Sequence, residues 1–176
     1  VKSLTTEVGP RLAGTSAEAR AREWAVNTLK SLNYSNIRVD KFEVPRWTRV
    51  KEEAVVISPY PQALTITTLG GSVSTPRKGV VGNVVRFPSL ASLQKEADNS
   101  YSGKIIFIDE SMARTQDGSG YLAAVAKRRL SAYESHRVGA KAVLIRSVGT
   151  SSNRFAHTGQ MKRITDTSDE PSVPAA

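Results

Sequence analysis

Apolar and polar positions follow regular periods over most of the chain. Residues 16–32 carry apolar side chains at steps of three and four, which predicts one amphipathic helix. Thr15 followed by Glu18 predicts a capping box at the start of this helix. Two continuous apolar runs, 104–108 and 142–145, predict strands that are buried on both faces.

A second helical pattern joins the two apolar runs. Gly139 is expected to end this helix, because glycine readily adopts the left-handed conformation found there. A strand, a helix and a strand in this order predict a right-handed βαβ crossover between parallel strands. The apolar stripe of the helix is predicted at Leu122, Ala126, Leu130 and Tyr133.

Shorter alternating segments predict further strands. They occupy residues 37–44, 53–57, 64–68 and 80–87, each with apolar residues at alternate positions over at least part of its length. The last residues, 171–176, resemble the beginning of another strand. Together with the two helical patterns, these elements predict an α+β chain.

Composition narrows the classes of protein to which the chain can belong. The 176 residues include no Cys, which excludes a disulfide scaffold, a thiol nucleophile and Cys-ligated zinc. No apolar run is long enough to predict a membrane span. The net charge of +9 is dispersed, and its densest cluster, Lys127 to Arg129, is interpreted as the solvated face of a helix. Nucleic acid is therefore not an expected partner.

Known catalytic motifs are absent from the sequence. The two histidines, His136 and His157, belong to neither a His-x-Asp nor a His-Glu-x-x-His motif, and no serine lies in a Gly-x-Ser-x-Gly elbow. Asp109 and Glu110 follow a buried strand, where parallel sheets often bind ligands, but we interpret them as solvated carboxylates. No catalytic residue and no metal ligand is assigned.

One long segment without periodicity carries the candidate substrate contacts. Residues 149–170 lack a predicted element, and loops of this length are often functional. Within this segment Arg154, Phe155 and His157 combine a cation, an aromatic ring and a titratable ring. They are our candidates for contacts at the fringe of a substrate site.

The first part of the chain resembles the start of the zinc-dependent peptidases of the M28 family, which include aminopeptidases. The resemblance rests on the segment 8–15, on the helix that follows it, and on Phe42-Glu43-Val44-Pro45. The motif positions within the first segment are Gly9, Pro10, Arg11, Leu12 and Gly14.

The second part resembles the protease-associated (PA) domain that is inserted into many of those peptidases. The similar segments are 102–109 with its following helix, 139–145, His157-Thr158-Gly159 and 173–176. The resemblance implies a PA-like, β-rich domain with a βαβ crossover. Before it would lie a helix and strands from the start of an α/β peptidase domain. The implied domains are residues 1–57, an incomplete peptidase segment, and residues 58–176, the PA domain.

The resemblance also implies why catalytic residues are missing. The family builds a two-zinc site from His, Asp and Glu residues that follow the PA insertion, and this sequence stops before them. We therefore interpret the chain as a fragment that is inactive alone and holds no cofactor, with zinc expected in the parent. Its implied role is that of a non-catalytic lid, substrate-positioning or interaction module. The implied partners are the remainder of the peptidase domain, a peptide substrate and a second copy of the chain, and the implied location is secreted or periplasmic.

Two expectations remain to be compared with the structure. Without the rest of a peptidase domain, Trp24, Leu29, Leu32 and Trp47 are expected to lose packing partners and to be exposed. The alternative function is a stand-alone basic module that binds anionic partners. A strong dependence of binding on salt concentration would support that alternative.

Overall fold

The computed structural model describes residues 2–151, 153–161 and 172–176. The chain divides into two compact units, Val1–Thr48 and Arg49–Ala176. The second unit thus begins before residue 58, where the sequence predicts the second domain to start. In the described part of the chain, no helix has both the length and the apolar character needed to cross a membrane.

The chain contains four α-helices and five strands within the described residues. A short π-helical turn, Leu4–Val8, precedes the first α-helix. The α-helices are α1 (Ser16–Ser31), α2 (Leu90–Leu93), α3 (Ser119–Ala124) and α4 (Ala126–Arg137). The strands are β1 (Ala54–Val56), β2 (Gln62–Leu64), β3 (Val84–Phe87), β4 (Ile105–Ile108) and β5 (Ala142–Ile145). The mixed helix and strand content predicted from the sequence is confirmed.

Helix α1 begins where the sequence predicts, with half of the expected cap. The Thr15 hydroxyl accepts a hydrogen bond from the backbone N–H of Glu18, 3.2 Å away. The Glu18 carboxylate instead pairs with Arg22 one turn later, at 2.8 Å, so we find no reciprocal bond. Asn33 follows the helix with φ of 64°, a conformation that Asn tolerates better than most residues.

The strand predicted at residues 37–44 is wrong, because residues 34–53 form neither helix nor strand. A strand is held by hydrogen bonds to a neighbour, and no described segment pairs with this one. Leu29 and Leu32 are exposed, as expected. The same expectation is wrong for Trp24 and Trp47, which are half-buried.

The second unit contains two small sheets. Strands β1 and β2 form an antiparallel pair, in which Val55 faces Ala63. Strands β3, β4 and β5 form a parallel sheet in that order, and Ile106 pairs with Val85 on one side and Val143 on the other. Helices α3 and α4 connect β4 to β5, so the predicted order of strand, helix and parallel strand is confirmed. The remaining two predicted strands are present in shortened or shifted form, as β2 and β3.

The terminal residues extend the parallel sheet. Ala175 bridges in parallel to Val143, and the N–H of Ile145 donates to the carbonyl of Ala176 at 2.8 Å. The N–H of Ala175 donates to the Ser72 hydroxyl at 2.9 Å, and the N–H of Leu69 donates to the Ala175 carbonyl at 3.0 Å. This segment therefore joins β5 to the chain near Leu69, in agreement with its strand-like sequence.

The core lies on one face of the parallel sheet. Ile106 and Ile108 are fully buried, whereas their neighbours Ile105 and Phe107 are only half-buried. The strand, predicted to be buried on both faces, is therefore fully buried on one face and partly buried on the other. The core residues are Leu69, Phe87, Leu90, Leu93, Ile106, Ile108, Ala132, Val138, Ala140, Val143, Val173 and Ala175.

The predicted apolar stripe forms only part of the inner face of helix α4, because Ala126 and Leu130 pack against the core while other residues are more deeply buried. Leu122, the first residue of the predicted stripe, lies in α3 and is 72% exposed, whereas in α4 Lys127 is fully buried and Arg128 nearly so. Small side chains fill the rest of the inner face, which lets the helix pack closely on β4 and β5. The interpretation of the basic cluster as a solvated face holds for Arg129 alone. The buried residues of α4 are Lys127, Arg128, Ser131, Ala132 and Ser135.

Candidate functional site

The carboxyl ends of the three parallel strands bring charged side chains together. Arg86 lies on β3, Asp109 follows β4 and Arg146 follows β5. The Asp109 carboxylate lies 2.7 Å from the Arg86 guanidinium and 3.1 Å from that of Arg146. The hydrogen bond from Arg86 and the charges of both arginines hold the pKa of Asp109 below its ordinary value. Asp109 thus connects β3 and β5 through its two ion pairs. Its interpretation as a merely solvated carboxylate is wrong.

We expect Asp109→Asn to lower the free energy of unfolding at neutral pH by about 1 kcal/mol, because the partners are partly exposed. A lowered folded-state pKa contributes stability above the unfolded value, and this stability is lost as the pH falls through the folded pKa. Urea unfolding from pH 7 to pH 2 should therefore show the difference from wild type closing in acid. Glu53→Gln, at an exposed ion pair of the same unit, is the control and should show no comparable loss. A difference that persists below the folded pKa of Asp109 would contradict the argument.

Glu110 also has structural partners on two sides. Its carboxylate accepts a hydrogen bond from the backbone N–H of Leu90, at the start of α2, at 2.9 Å. Its backbone carbonyl accepts a hydrogen bond from the buried ammonium group of Lys127. Burial lowers the pKa of Lys127, and the nearby Glu110 charge opposes that effect. These two bonds connect the end of β4 to α2 and to α4.

A groove of about 530 Å³ lies between helices α3–α4 and residues 159–161. Arg128 is 7% exposed, and its Nε atom has no hydrogen-bond partner among the described residues. A Cβ atom on Gly159 would lie 2.5 Å from the Arg128 Cδ atom, so a larger residue there would require the Arg128 side chain to move. Besides Gly159, the groove is lined by Tyr121, Val125, Arg128, Arg129, Gln160 and Met161.

Backbone bonds hold the wall of the groove opposite the helices. The N–H of Gly70 donates to the Gly159 carbonyl at 2.8 Å, and the N–H of Met161 donates to the Gly70 carbonyl at 2.9 Å. Arg49 donates to the Thr158 hydroxyl at 2.8 Å and to the Thr68 carbonyl. This part of the long loop is therefore anchored to the segment after β2.

The three candidate substrate contacts lie outside this lining. The Ser147 hydroxyl donates to the Phe155 carbonyl and accepts from the N–H of His157, whereas Arg154 donates to the Ala63 carbonyl at 3.3 Å. The His157 Nδ1 atom lies 2.9 Å from the Val148 carbonyl, which can only accept, so Nδ1 carries the proton. The structure brings Phe155 and His157 together at Ser147. Their role at a substrate remains a prediction.

Sequence reasoning missed Arg128 as a site residue. Its signal is the spacing of small residues, since Ala124, Ser131 and Ser135 recur at the steps expected for one helix face. Arg128 falls on the same face, one turn after Ala124. A stripe of small residues therefore marks the inner side of this helix better than its few large apolar residues do.

The positions of the M28 motif make local backbone turns and hydrogen bonds. Gly9 and Gly14 have φ of 72° and 77°, which glycine adopts without strain. The Leu12 carbonyl accepts from the N–H and the hydroxyl of Thr15, and Arg11 donates to the Gly9 carbonyl. Pro10 lies exposed between these turns. Across the described ranges, no group of three or more His, Cys, Asp or Glu residues could hold a metal ion.

Comparison with known sequences identifies relatives of one kind. No family model matches the chain. The chain is 35% identical to carboxypeptidase Q of Bos taurus over 156 residues, which make up 89% of this chain and 32% of that protein. It is 33% identical to carboxypeptidase Q of Mus musculus over 159 residues, 90% of this chain and 32% of that protein. The chain thus spans about a third of the length of the curated relatives it matches.

Solved structures agree with the sequence relatives. The crystal structure of a peptidase M28 precursor from Shewanella amazonensis SB2B matches with a TM-score of 0.89 and 40% identity, over 99% of this chain and 39% of that one. BSAP, a zinc aminopeptidase from Bacillus subtilis, matches with a TM-score of 0.55 and 21% identity, over 99% of this chain and 36% of that one, and shows the fold alone. The motif at the start of the chain, the curated relatives and the first of these structures together place the chain in the M28 peptidase family.

Proposed function

We propose that this chain is the non-catalytic accessory portion of an M28 peptidase, acting as a lid or substrate-positioning module. One observation carries the proposal. The alignment with a solved M28 peptidase covers 99% of this chain but only 39% of that peptidase. Its partners in this proposal are the remaining peptidase domain and a peptide substrate. The PA-like identity of the second unit and an exported location of the complete protein belong to the same proposal.

Zinc belongs to the complete enzyme in this proposal and not to these residues. The carboxylates at the sheet edge, Asp109 and Glu110, are engaged by arginines and by a backbone N–H. His157 directs one ring nitrogen to a backbone carbonyl. In the part of the chain that the structure describes, the available ligands do not converge, so the residues do not fit a zinc ion. No catalytic step is therefore assigned to them.

The proposal is tested by comparing this chain with the complete protein that its gene encodes. Both are assayed on dipeptides and on N-terminal amino-acid amides, before and after treatment with a zinc chelator. We expect the complete protein to hydrolyse at least one of these substrates and to lose that activity on chelation. This chain alone should not hydrolyse them, with or without added zinc. Hydrolysis by this chain, or a complete protein that is inactive towards peptides, would overturn the proposal.

The alternative of a basic binding module has less support from the charges described. Two cations of the densest cluster, Lys127 and Arg128, are buried rather than displayed. Asp109 pairs with Arg86 and Arg146 at the sheet edge, which reduces the positive charge offered there. Salt-dependent binding of this chain to heparin or to DNA would favour the alternative.

A further inference from the structure

The groove beside α4 is lined by both charged and apolar side chains. Arg128 and Arg129 contribute two positive charges, and Val125 and Met161 contribute apolar surface. None of these residues forms an ion pair among those found in the described part of the chain. The lining is therefore basic at one place and apolar beside it.

Arg128 is the residue that most needs a partner. A guanidinium has five N–H donors and is charged at every accessible pH. Burial removes water from such a group, and a buried polar atom without a hydrogen bond costs free energy. The Nε atom of Arg128 is in this state, with the Gly159 backbone packed against its stem. Because Arg128 lines the groove, an oxyanion there would offer its guanidinium group a charged acceptor.

The lining favours a carboxylate over other anions. The planar fork of a guanidinium fits a carboxylate through two parallel hydrogen bonds. A free α-carboxylate at the end of a peptide also carries a side chain, which could rest on Val125 and Met161, whereas a phosphate ion has nothing to place there. A cavity of about 530 Å³ is in the range that accommodates a ligand of a few residues.

We propose that this groove binds the free C-terminal carboxylate of a short peptide, with Arg128 and Arg129 holding the carboxylate and Val125 and Met161 contacting the last side chain. The inference rests on the proposed function and deepens it, because it names the substrate class that the accessory portion positions. It assigns no chemistry to the groove, which holds the peptide and cleaves nothing.

The test measures equilibrium binding to the complete protein, treated with a chelator so that no peptide is consumed. The probe is an N-terminally fluorescent Gly-Ala-Leu peptide, and the matched probe is the same peptide with a C-terminal amide. We expect the acid to bind at least about ten-fold more tightly than the amide, since the amide cannot accept two charge-assisted bonds. Arg128→Met should abolish this preference, and Arg114→Met, at an exposed arginine outside the lining, should preserve it.

A second variant distinguishes a loss of peptide binding from a loss of folding. Because Arg128 is buried, Arg128→Met can change the melting temperature, whereas Arg129 is exposed. Arg129→Met should weaken binding of the acid several-fold at an unchanged melting temperature, and leave binding of the amide unaltered. Equal affinity of acid and amide, or a preference that survives both variants, would overturn the proposal. Displacement of the probe by inorganic phosphate but not by unlabelled acid peptide would overturn it too, in favour of a general oxyanion site.

The outcome of this binding experiment is independent of the outcome of the activity test for the proposed function. Binding is read without turnover, so a complete protein that hydrolyses nothing can still prefer the acid peptide. Conversely, an active peptidase that binds acid and amide equally would retain the proposed function and lose this inference.

Discussion

Lys127→Ala is expected to lower the free energy of unfolding by about 3 kcal/mol. Lys127 lies on α4 and is fully buried, so truncation removes the packing of its long stem and leaves a cavity. The same change leaves the Glu110 carbonyl without its donor. Urea unfolding followed by circular dichroism measures this loss.

Lys127→Met separates the contribution of the buried stem to stability from that of the ammonium group. Methionine keeps most of the buried stem and removes an ammonium group whose burial is itself unfavourable, so the loss should be less than half of that for alanine. Burial lowers the folded-state pKa of Lys127 below its ordinary 10.5. As the pH rises from the folded pKa towards 10.5, the unfolded chain binds more protons, and wild type should gain stability relative to Lys127→Met. Equal losses for both variants would show that the ammonium bond, and not the stem, carries the stability.

Gly120→Ala is expected to destabilise the chain by about 2 to 3 kcal/mol, through overpacking. A Cβ atom at Gly120 would overlap the Ala113 carbonyl oxygen and lie 2.9 Å from the carbonyl carbon. The loop cannot easily retreat, because the Thr115 hydroxyl accepts a hydrogen bond from the N–H of Gly120 at 3.0 Å. Thermal unfolding of the variant measures the loss.

The matched control for Gly120→Ala is Leu122→Ala in the same helix. Leu122 is 72% exposed, so removing its side chain should change stability by less than about 0.5 kcal/mol. Alanine favours helix over glycine by about 1 kcal/mol. If the loop at Ala113 simply moved aside, Gly120→Ala would therefore stabilise the chain, and that result would contradict the steric argument.

Sequence reasoning predicts two kinds of element correctly. The first is held by contacts between residues close in sequence, and the second is a strand made entirely of apolar residues. Thr15 predicts the start of α1 because a cap is a contact between near neighbours. The runs containing Ile106 and Val143 predict β4 and β5 because a buried strand requires apolar residues. Residues 37–44 have a strand-like pattern, yet no described segment supplies the neighbouring backbone that a strand requires.

The groove could not be predicted in the same way. Arg128 and Lys127 are charged, so sequence reasoning places them on a solvated surface. Their burial depends on where α4 packs against the sheet. The polar partners of Asp109 come from two other strands, and their meeting depends on register. The position of Gly159 against Arg128 joins residues 31 positions apart through a loop without periodicity. Only tertiary packing creates these contacts.

The pairing of residues 172–176 with β5 affects how this unit folds. The bond between Ala175 and the Ser72 hydroxyl closes a separation of 103 residues, and such long-range contacts slow folding. During synthesis, β5 and the segment near Leu69 leave the ribosome well before Ala175 does. Until then β5 presents an unpaired strand edge, on which nascent chains can associate. Emergence of residues 172–176 from the ribosome is therefore the step at which this edge of the sheet becomes protected.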